Sequence, residues 1–269
     1  MELYLLGFHI SFALLVVACY VTLWFVVSLV VKRNDIADIA WGPGIALVAV
    51  VALVVSVVPG TRLTIMSALA FFWGVRLALH VWVRHMKKPE DPRYARWRRD
   101  WGQWFLPRSY AQVYLLQGLL MVVVGYPFLH ASIYTEVPLT VVDIAGVWLW
   151  IIGFVFEAVA DYQLHTFASE PTNKGRILKT GLWQYSRHPN YFGELLQWYG
   201  LAVMVLALPF GALALVSPLV LTYLLLRVSG IPLLEAHMQH KPGYRAYALR
   251  TSALIPRKPK LPVLVRKKH

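Results

Sequence analysis

Two carboxylates, Glu157 and Asp161, stand four residues apart in an otherwise apolar run, so a helix through them carries both on one face. Farther on, SRHPNYFGELLQ places Asn190, Glu194 and Gln197 at i, i+4 and i+7, again one face, directly after Arg187 and His188. Upstream, Asp35 and Asp38 lie in NDIADIAWG, Arg76 and His80 are one helical turn apart, and Gln112, Tyr114 and Gln117 interrupt another apolar stretch. Amides and carboxylates can hold hydroxyl and amide groups, and arginine binds phosphate through a planar fork of donors. Inside apolar segments such side chains are costly and point to function; the alternative is that they pair with one another and with Arg76 to pack a bundle. Part of the motif serves the backbone, because Asn190 suits a helix N-cap and Pro189 a chain turning into a helix. That need is met by one residue, whereas the motif also brings Arg187, His188, Tyr185, Tyr191 and Glu194.

The elements that position these residues are set by composition. Of 269 residues, 58% are hydrophobic and 14% charged, against roughly 45–50% and about 25% in an average soluble domain. Mean hydropathy is +0.57. These values exclude a soluble globular enzyme, a disordered chain and a nucleic-acid-binding domain, the last of which the net charge of +13 would otherwise suggest. Hydropathy gives about seven spans, roughly 8–31, 37–58, 63–84, 110–130, 140–163, 190–208 and 211–229. The expected fold is all-α, a polytopic transmembrane helix bundle forming a single integral membrane domain over 1–269.

Of the 26 Lys and Arg residues, all but Arg62 and Arg76 fall in alternate loops or after the last span. The positive-inside rule then sets the N-terminus out and the C-terminus in the cytoplasm. The net charge becomes an orientation signal and a contact for anionic lipids, with no nucleic-acid partner. The segment 87–108 interleaves Trp97, Trp101 and Trp104 with arginines, as an interfacial amphipathic helix does, and 257–269 is a basic tail broken by proline. A protein of this kind sits in the inner membrane of a bacterium or the endoplasmic reticulum of a eukaryote.

Other chemistries find no support. Cys19 is the only cysteine, which leaves no disulfide framework or cysteine-built zinc site, and it reads as a small buried hydrophobe. The apolar stretch 10–31 is too long for a signal h-region and lacks a basic n-region, so it reads as a permanent span. Gly42-Pro43-Gly44 lacks the setting of a phosphate loop. His165, His188, His237 and His240 show no ligand spacing with carboxylates, so no metal site is expected.

The segment GLWQYSRHPNYFGELLQWYG (181–200) resembles the C-terminal signature of the steroid 5-alpha-reductase-like membrane reductases. EAVADYQLHTF, NKGRILKTGLW and SGIPLLEAHMQHKPGYRAYALRTSALIP resemble the same family in the same order. DIADIAWG, FFWGVRLALHVWVR and DPRYARWRRDWG resemble its DUF1295 branch, so the likeness covers nearly the whole chain. The RHPNYxG core is shared with sterol C14/C7 reductases and resembles that of isoprenylcysteine carboxyl methyltransferases and phospholipid N-methyltransferases. Glu194 directly after the glycine, with the Glu157/Asp161 pair, favours the reductase side.

The resemblance implies NADPH-dependent reduction of an activated carbon–carbon double bond in a hydrophobic, steroid-like or isoprenoid substrate within the membrane. It places a cofactor-binding region over 109–256. Asp161, Asn190 and Glu194 fall on cofactor-contacting positions, with Glu157, Tyr185, Arg187, His188 and Tyr191 in the same motifs and Tyr244, Tyr247 and Arg250 in the closing segment. Arg84, Lys174, Arg176, Arg187 and Arg250 supply cations at the cytoplasmic boundary for a polyanionic dinucleotide. Hydride addition to an enone builds negative charge on the carbonyl oxygen, and Asp38, Tyr114 and His80 are the candidate donors to it. Two other functions are kept open: an S-adenosylmethionine-dependent membrane methyltransferase, and a non-enzymatic lipid-binding or transport protein. Such methyltransferases carry a paired acidic motif before the last helix, where this chain has Glu235 preceded by Leu234.

Overall fold

The computed structural model describes residues 1–86 and 89–260. Lys87, Lys88 and the tail 261–269, with the side chains of Arg84, His85, Met86, Pro92 and Arg93, lie outside the described residues. Among the described residues the chain is helical, with one isolated parallel bridge between Ser186 and Ser252. Helices α1 (Glu2–Val31), α2 (Ala37–Val55), α3 (Thr61–Met86), α4 (Pro92–Trp101), α5 (Phe105–Ser109), α6 (Leu116–Val124) and α7 (Tyr126–Ala131) come first. They are followed by α8 (Val141–Ser169), α9 (Pro189–Val205), α10 (Val216–Tyr223), α11 (Ile231–Met238) and α12 (Tyr244–Arg250).

Five helical runs among the described residues are long and apolar enough to cross a bilayer: Glu2–Val31, Ala37–Val55, Thr61–Val83, Val141–Ser169 and Gly211–Met238. The fold is thus an all-α polytopic bundle. The two other segments expected to span are built differently. Residues 110–130 form a π-helical turn (Tyr110–Leu115), then α6 and α7, because the backbone leaves helical geometry at Gly125 and Pro127 opens the next helix without an N–H. Helix α9 is 17 residues long and ends ahead of Pro209.

The chain divides into two compact units, Met1–Ile144 with Ala202–Ser217, and Ala145–Leu201 with the chain from Pro218 on. In the first unit α1 is mostly apolar, and its inward face carries small residues together with His9, which is buried and bonded to the Ser132 hydroxyl at 2.7 Å. Ala13, Val17 and Val21, four apart, are buried, while Leu15, Leu23 and Val30 face outward as lipid-facing residues do. Cys19 lies on the outward face, two positions from Val17, and is exposed, which corrects the expectation that it is buried. Helices α2 and α3 run antiparallel and touch at Gly42 and Gly74, where a Cβ on either would sit 2.8 Å from the other's carbonyl oxygen.

Polar clasps close both ends of this unit. Arg62, in the first turn of α3, is buried and donates to both oxygens of buried Asp143 at 2.6 and 2.8 Å. It also donates to the carbonyls of Val137 and Pro138, while Asp143 accepts the Thr140 N–H at the start of α8. At the other end Asp35 accepts Arg33 through two bonds of 3.0 and 2.8 Å and the Asp91 N–H at 3.2 Å. The Asn34 N–H donates to Glu90, its side-chain amide to Ser109, and its carbonyl accepts the Tyr114 hydroxyl. The NDIAD motif therefore ties the α1–α2 turn to the loop before α4 and to the α5–π-turn junction.

Removing one partner of a buried pair strands the other charge, so Asp143→Ala is expected to cost about 3–5 kcal/mol. Thermal unfolding in detergent checks this, and Arg62→Met/Asp143→Leu should recover much of the loss.

Candidate functional site

In the second unit α8 and α9 are antiparallel and meet on four glycines. A Cβ on Gly193 would sit 2.5 Å from the Glu157 nitrogen and 2.6 Å from the Gly153 carbonyl oxygen. A Cβ on Gly200 would sit 2.6 Å from the Gly146 carbonyl oxygen. Gly146 and Gly153 are seven apart on one helix, as are Gly193 and Gly200 on the other, so the contact recurs every second turn. This approach brings the two polar faces together. Gln197 donates to Glu157 at 2.7 Å, and Asn190 donates to Asp161 at 3.2 Å, one step closer to the basic end. Glu157, Asp161 and Gln197 are buried, and Asn190 and Glu194 are half-buried. The Gln197 side-chain oxygen is buried with no hydrogen-bond donor.

The corner before α9 is held from three sides. Arg187 donates to Glu235 of α11 at 2.7 Å and to the Ala248 and Thr251 carbonyls at 2.8 and 2.6 Å. Its backbone N–H donates to Ser252, and the Ser186 hydroxyl to the Leu254 carbonyl. His188 meets the same Glu235 oxygen at 3.3 Å and stacks on Tyr191, with centroids 5.6 Å apart and planes 9° from parallel. Tyr247 donates to the Trp183 carbonyl at 2.5 Å, and Tyr244 is buried beside Glu235 and Arg187. Burial pushes the Tyr244 hydroxyl up to about 12 and the Tyr247 hydroxyl higher still, so both are neutral donors. Burial also holds His188 below the ordinary imidazole range, against the opposing pull of the Glu235 carboxylate.

The residues expected to hold a cofactor thus sort by what they touch. Asp161, Asn190, Glu157, Tyr191 and Glu194 sit along the α8–α9 polar seam or at its mouth. Three of the Arg187 donors are engaged within the protein, which makes this side chain a fastener of the corner. Lys174 and Arg176 are exposed on the loop after α8. Tyr185 is partly exposed, and its carbonyl accepts the Arg257 N–H. Arg250 is exposed, with its Nε on the Lys260 carbonyl at 3.1 Å. A groove of about 420 Å³ opens at the end of α8, lined by Tyr162, Gln163, Thr166, Phe167, Asn173 and Leu178 among others.

The candidate donors to a substrate oxygen all fall in the first unit. Tyr114 is buried on the π-helical turn, within electrostatic reach of Asp38 and Asp35. Asp38 is in the first turn of α2 and half-buried. His80 is half-buried on α3.

The sequence offers Glu235 as a partner for Arg187 only by elimination, since it is the only acidic residue after Glu194. The Arg62–Asp143 pair and the heptad-spaced glycines were equally present in the sequence and unread.

A family model described as a protein of unknown function, DUF1295, matches residues 24–251. The chain is 28% identical over 155 residues to 3-oxo-5-alpha-steroid 4-dehydrogenase 2 of Homo sapiens, covering 55% of this chain and 58% of that one. It is 32% identical over 77 residues to very-long-chain enoyl-CoA reductase of Dictyostelium discoideum, covering 29% of this chain and 25% of that one. It is 33% identical over 60 residues to 3-oxo-5-alpha-steroid 4-dehydrogenase 1 of Mus musculus, covering 22% and 24%. The match therefore spans from about a quarter to somewhat over half the length of these relatives. No solved structure matches the chain significantly.

Gly193→Ala drives a methyl into the α8 backbone, and overpacking of this kind costs about 1–3 kcal/mol. It should lower the thermal midpoint and loosen any ligand held by Asn190 and Asp161, read in one titration series. The buried His188 gives a second expectation. As pH falls through about 6.5 the unfolded chain takes up a proton that the folded imidazole refuses, so stability is lost toward acid. The stability advantage of the wild type over His188→Gln should shrink between about pH 7.5 and about pH 5.5; a gap independent of pH would contradict a neutral His188.

Proposed function

The chain belongs to the DUF1295 family, and on that premise we propose that it is a multi-pass membrane reductase acting on an activated carbon–carbon double bond in a hydrophobic substrate, with NADPH as the reductant. The observation that carries this reading is the double polar rung of α8 and α9, Glu157–Gln197 and Asp161–Asn190, set at the RHPNY corner. Support comes from relatives named as a steroid 4-dehydrogenase and an enoyl-CoA reductase, whose names both describe chemistry at a carbon–carbon bond next to a carbonyl.

The donor set fits a nicotinamide nucleotide. Carboxylates at 157 and 161 accept hydroxyl and amide N–H groups, and Asn190 offers both a donor and an acceptor. The buried Gln197 oxygen lacks a donor, and an unsatisfied group of this kind costs about 1–3 kcal/mol until an N–H meets it. Exposed Lys174 and Arg176 carry the charge that a diphosphate and 2′-phosphate require, because Arg187 is committed to the corner. When bound, the nucleotide supplies the hydride. The chain's own part is to fix the nucleotide's amide and ribose, exclude water, and place a neutral donor at the substrate oxygen. Tyr114, Asp38 and His80, all in the first unit, are the residues proposed for that donor. Apolar outward faces on α1 and elsewhere hold the protein in the bilayer, where a lipophilic substrate is dissolved.

The test is nucleotide occupancy. Protein purified in mild detergent is denatured and the released nucleotide identified by mass spectrometry, after which NADPH, NADH and S-adenosylmethionine are titrated. NADPH is expected to bind, and Asn190→Ala or Asp161→Asn to weaken it by about tenfold or more, the worth of one hydrogen bond to a charged group. Binding of S-adenosylmethionine alone would replace the reductase by a methyltransferase, and binding of neither would reject a nucleotide site.

A further inference from the structure

We infer that Glu235 is a positioning residue of the proposed nucleotide site: one carboxylate oxygen, shared by Arg187 and His188, fixes the stance of the RHPNY corner and decides which nitrogen of the His188 ring carries the proton. The inference rests on the nucleotide reading for its ligand and on the geometry of the second unit for everything else.

Glu235 comes from α11 and reaches back to the corner, meeting Arg187 Nε at 2.7 Å and His188 Nε2 at 3.3 Å through its Oε1. A carboxylate paired with arginine only accepts, so the Nε2 atom of His188 must donate to it. A neutral ring then has its lone pair at Nδ1. The charged and titratable groups facing the ring are few. Arg187 comes from its own loop, Glu235 from α11, and Tyr244 from α12 lies against Glu235 and Arg187. Tyr191 supplies a face, stacked within 9° of parallel. The ring is thereby held at its edge and on its face.

The consequence reaches the seam through the backbone. His188 and Asn190 flank Pro189 at the start of α9, so the stance of the ring and of Arg187 sets where that helix begins. The start of α9 in turn sets how Asn190 meets Asp161, at 3.2 Å. No other acidic residue follows Glu194 in the sequence, so nothing nearby along this part of the chain could substitute for Glu235. Both partners are only partly exposed, and Arg187 without its carboxylate keeps two carbonyl contacts and an unbalanced charge.

The experiment uses full-length protein in detergent, labelled with 15N-histidine and free of nucleotide. The His188 ring signal is assigned by its loss in His188→Gln. In the wild type the ring should show the Nε2–H tautomer. In Glu235→Gln it should become a tautomer mixture and titrate at lower pH, because the carboxylate that favoured the protonated form is gone. Glu235→Asp should restore both toward the wild type, and it carries the comparison if the glutamine variant does not fold. A His188 signal with the same tautomer and titration in Glu235→Gln would overturn the inference. NADPH titration of the same samples forms the second arm. Glu235→Gln should weaken binding by about tenfold or more, and Glu235→Asp by less. A wild type that ignores NADPH yet shows the expected histidine spectrum would sink the nucleotide reading alone and leave Glu235 as the positioning residue of the corner.

Discussion

Four glycines let α8 and α9 approach until backbone meets backbone, and the polar chemistry of the second unit follows from that contact. Burying apolar surface gives little drive for association between helices in hydrocarbon, since lipid tails are as apolar as leucine. Close packing and interhelical hydrogen bonds must supply the attraction. At Gly153 and Gly193 no side chain intervenes, so Gln197 can reach Glu157 and Asn190 can reach Asp161. A wider spacing would leave two carboxylates in the interior without those amide donors, at a cost of several kcal/mol each.

The charged pairs show the same economy in a different role. Arg62–Asp143, Arg33–Asp35 and Arg187–Glu235 each sit at a junction of chain segments, and each arginine or its partner also engages backbone groups. In every case backbone groups at turns and helix ends, which cannot be satisfied by lipid, are met by a side chain that is itself neutralised. Charge at these places builds the fold. Lys174 and Arg176, by contrast, are exposed on the loop after α8.

Much of this was legible in the sequence. Apolar run length gave the helical membrane bundle, and helical spacing placed Glu157 with Asp161 and Asn190 with Gln197 on shared faces before any partner was known. What stayed hidden has physical causes. Apolar periodicity is nearly silent when both lipid and core are apolar, so in α1 only the polar His9 marked the inward stripe of Ala13, Val17 and Val21, and Cys19 was assigned to the wrong face. Hydropathy likewise averages over Gly125 and Pro127, so it does not show the break between α6 and α7. Pairing between distant segments, such as Arg187 with Glu235, has no period to detect. It could have been reached only by counting acids against the cations that needed them.

The corner motif itself separates into two halves with different duties. Arg187 and His188 turn inward to Glu235 and to the α12 terminus, so they build the corner. Asn190 turns to α8, where its partner is a carboxylate of that helix and not of the motif. On the nucleotide reading, a motif of this design serves any cofactor that needs an amide presented at a helix start beside a membrane face. Cofactor choice must then be written off the corner, in what α8 offers opposite Asn190 and in the cations of the loop after it. On that reading the proposed reductase chemistry leans on Glu157 and Asp161 more than on the corner, since these two acids are what a neutral ribose and carboxamide would recognise.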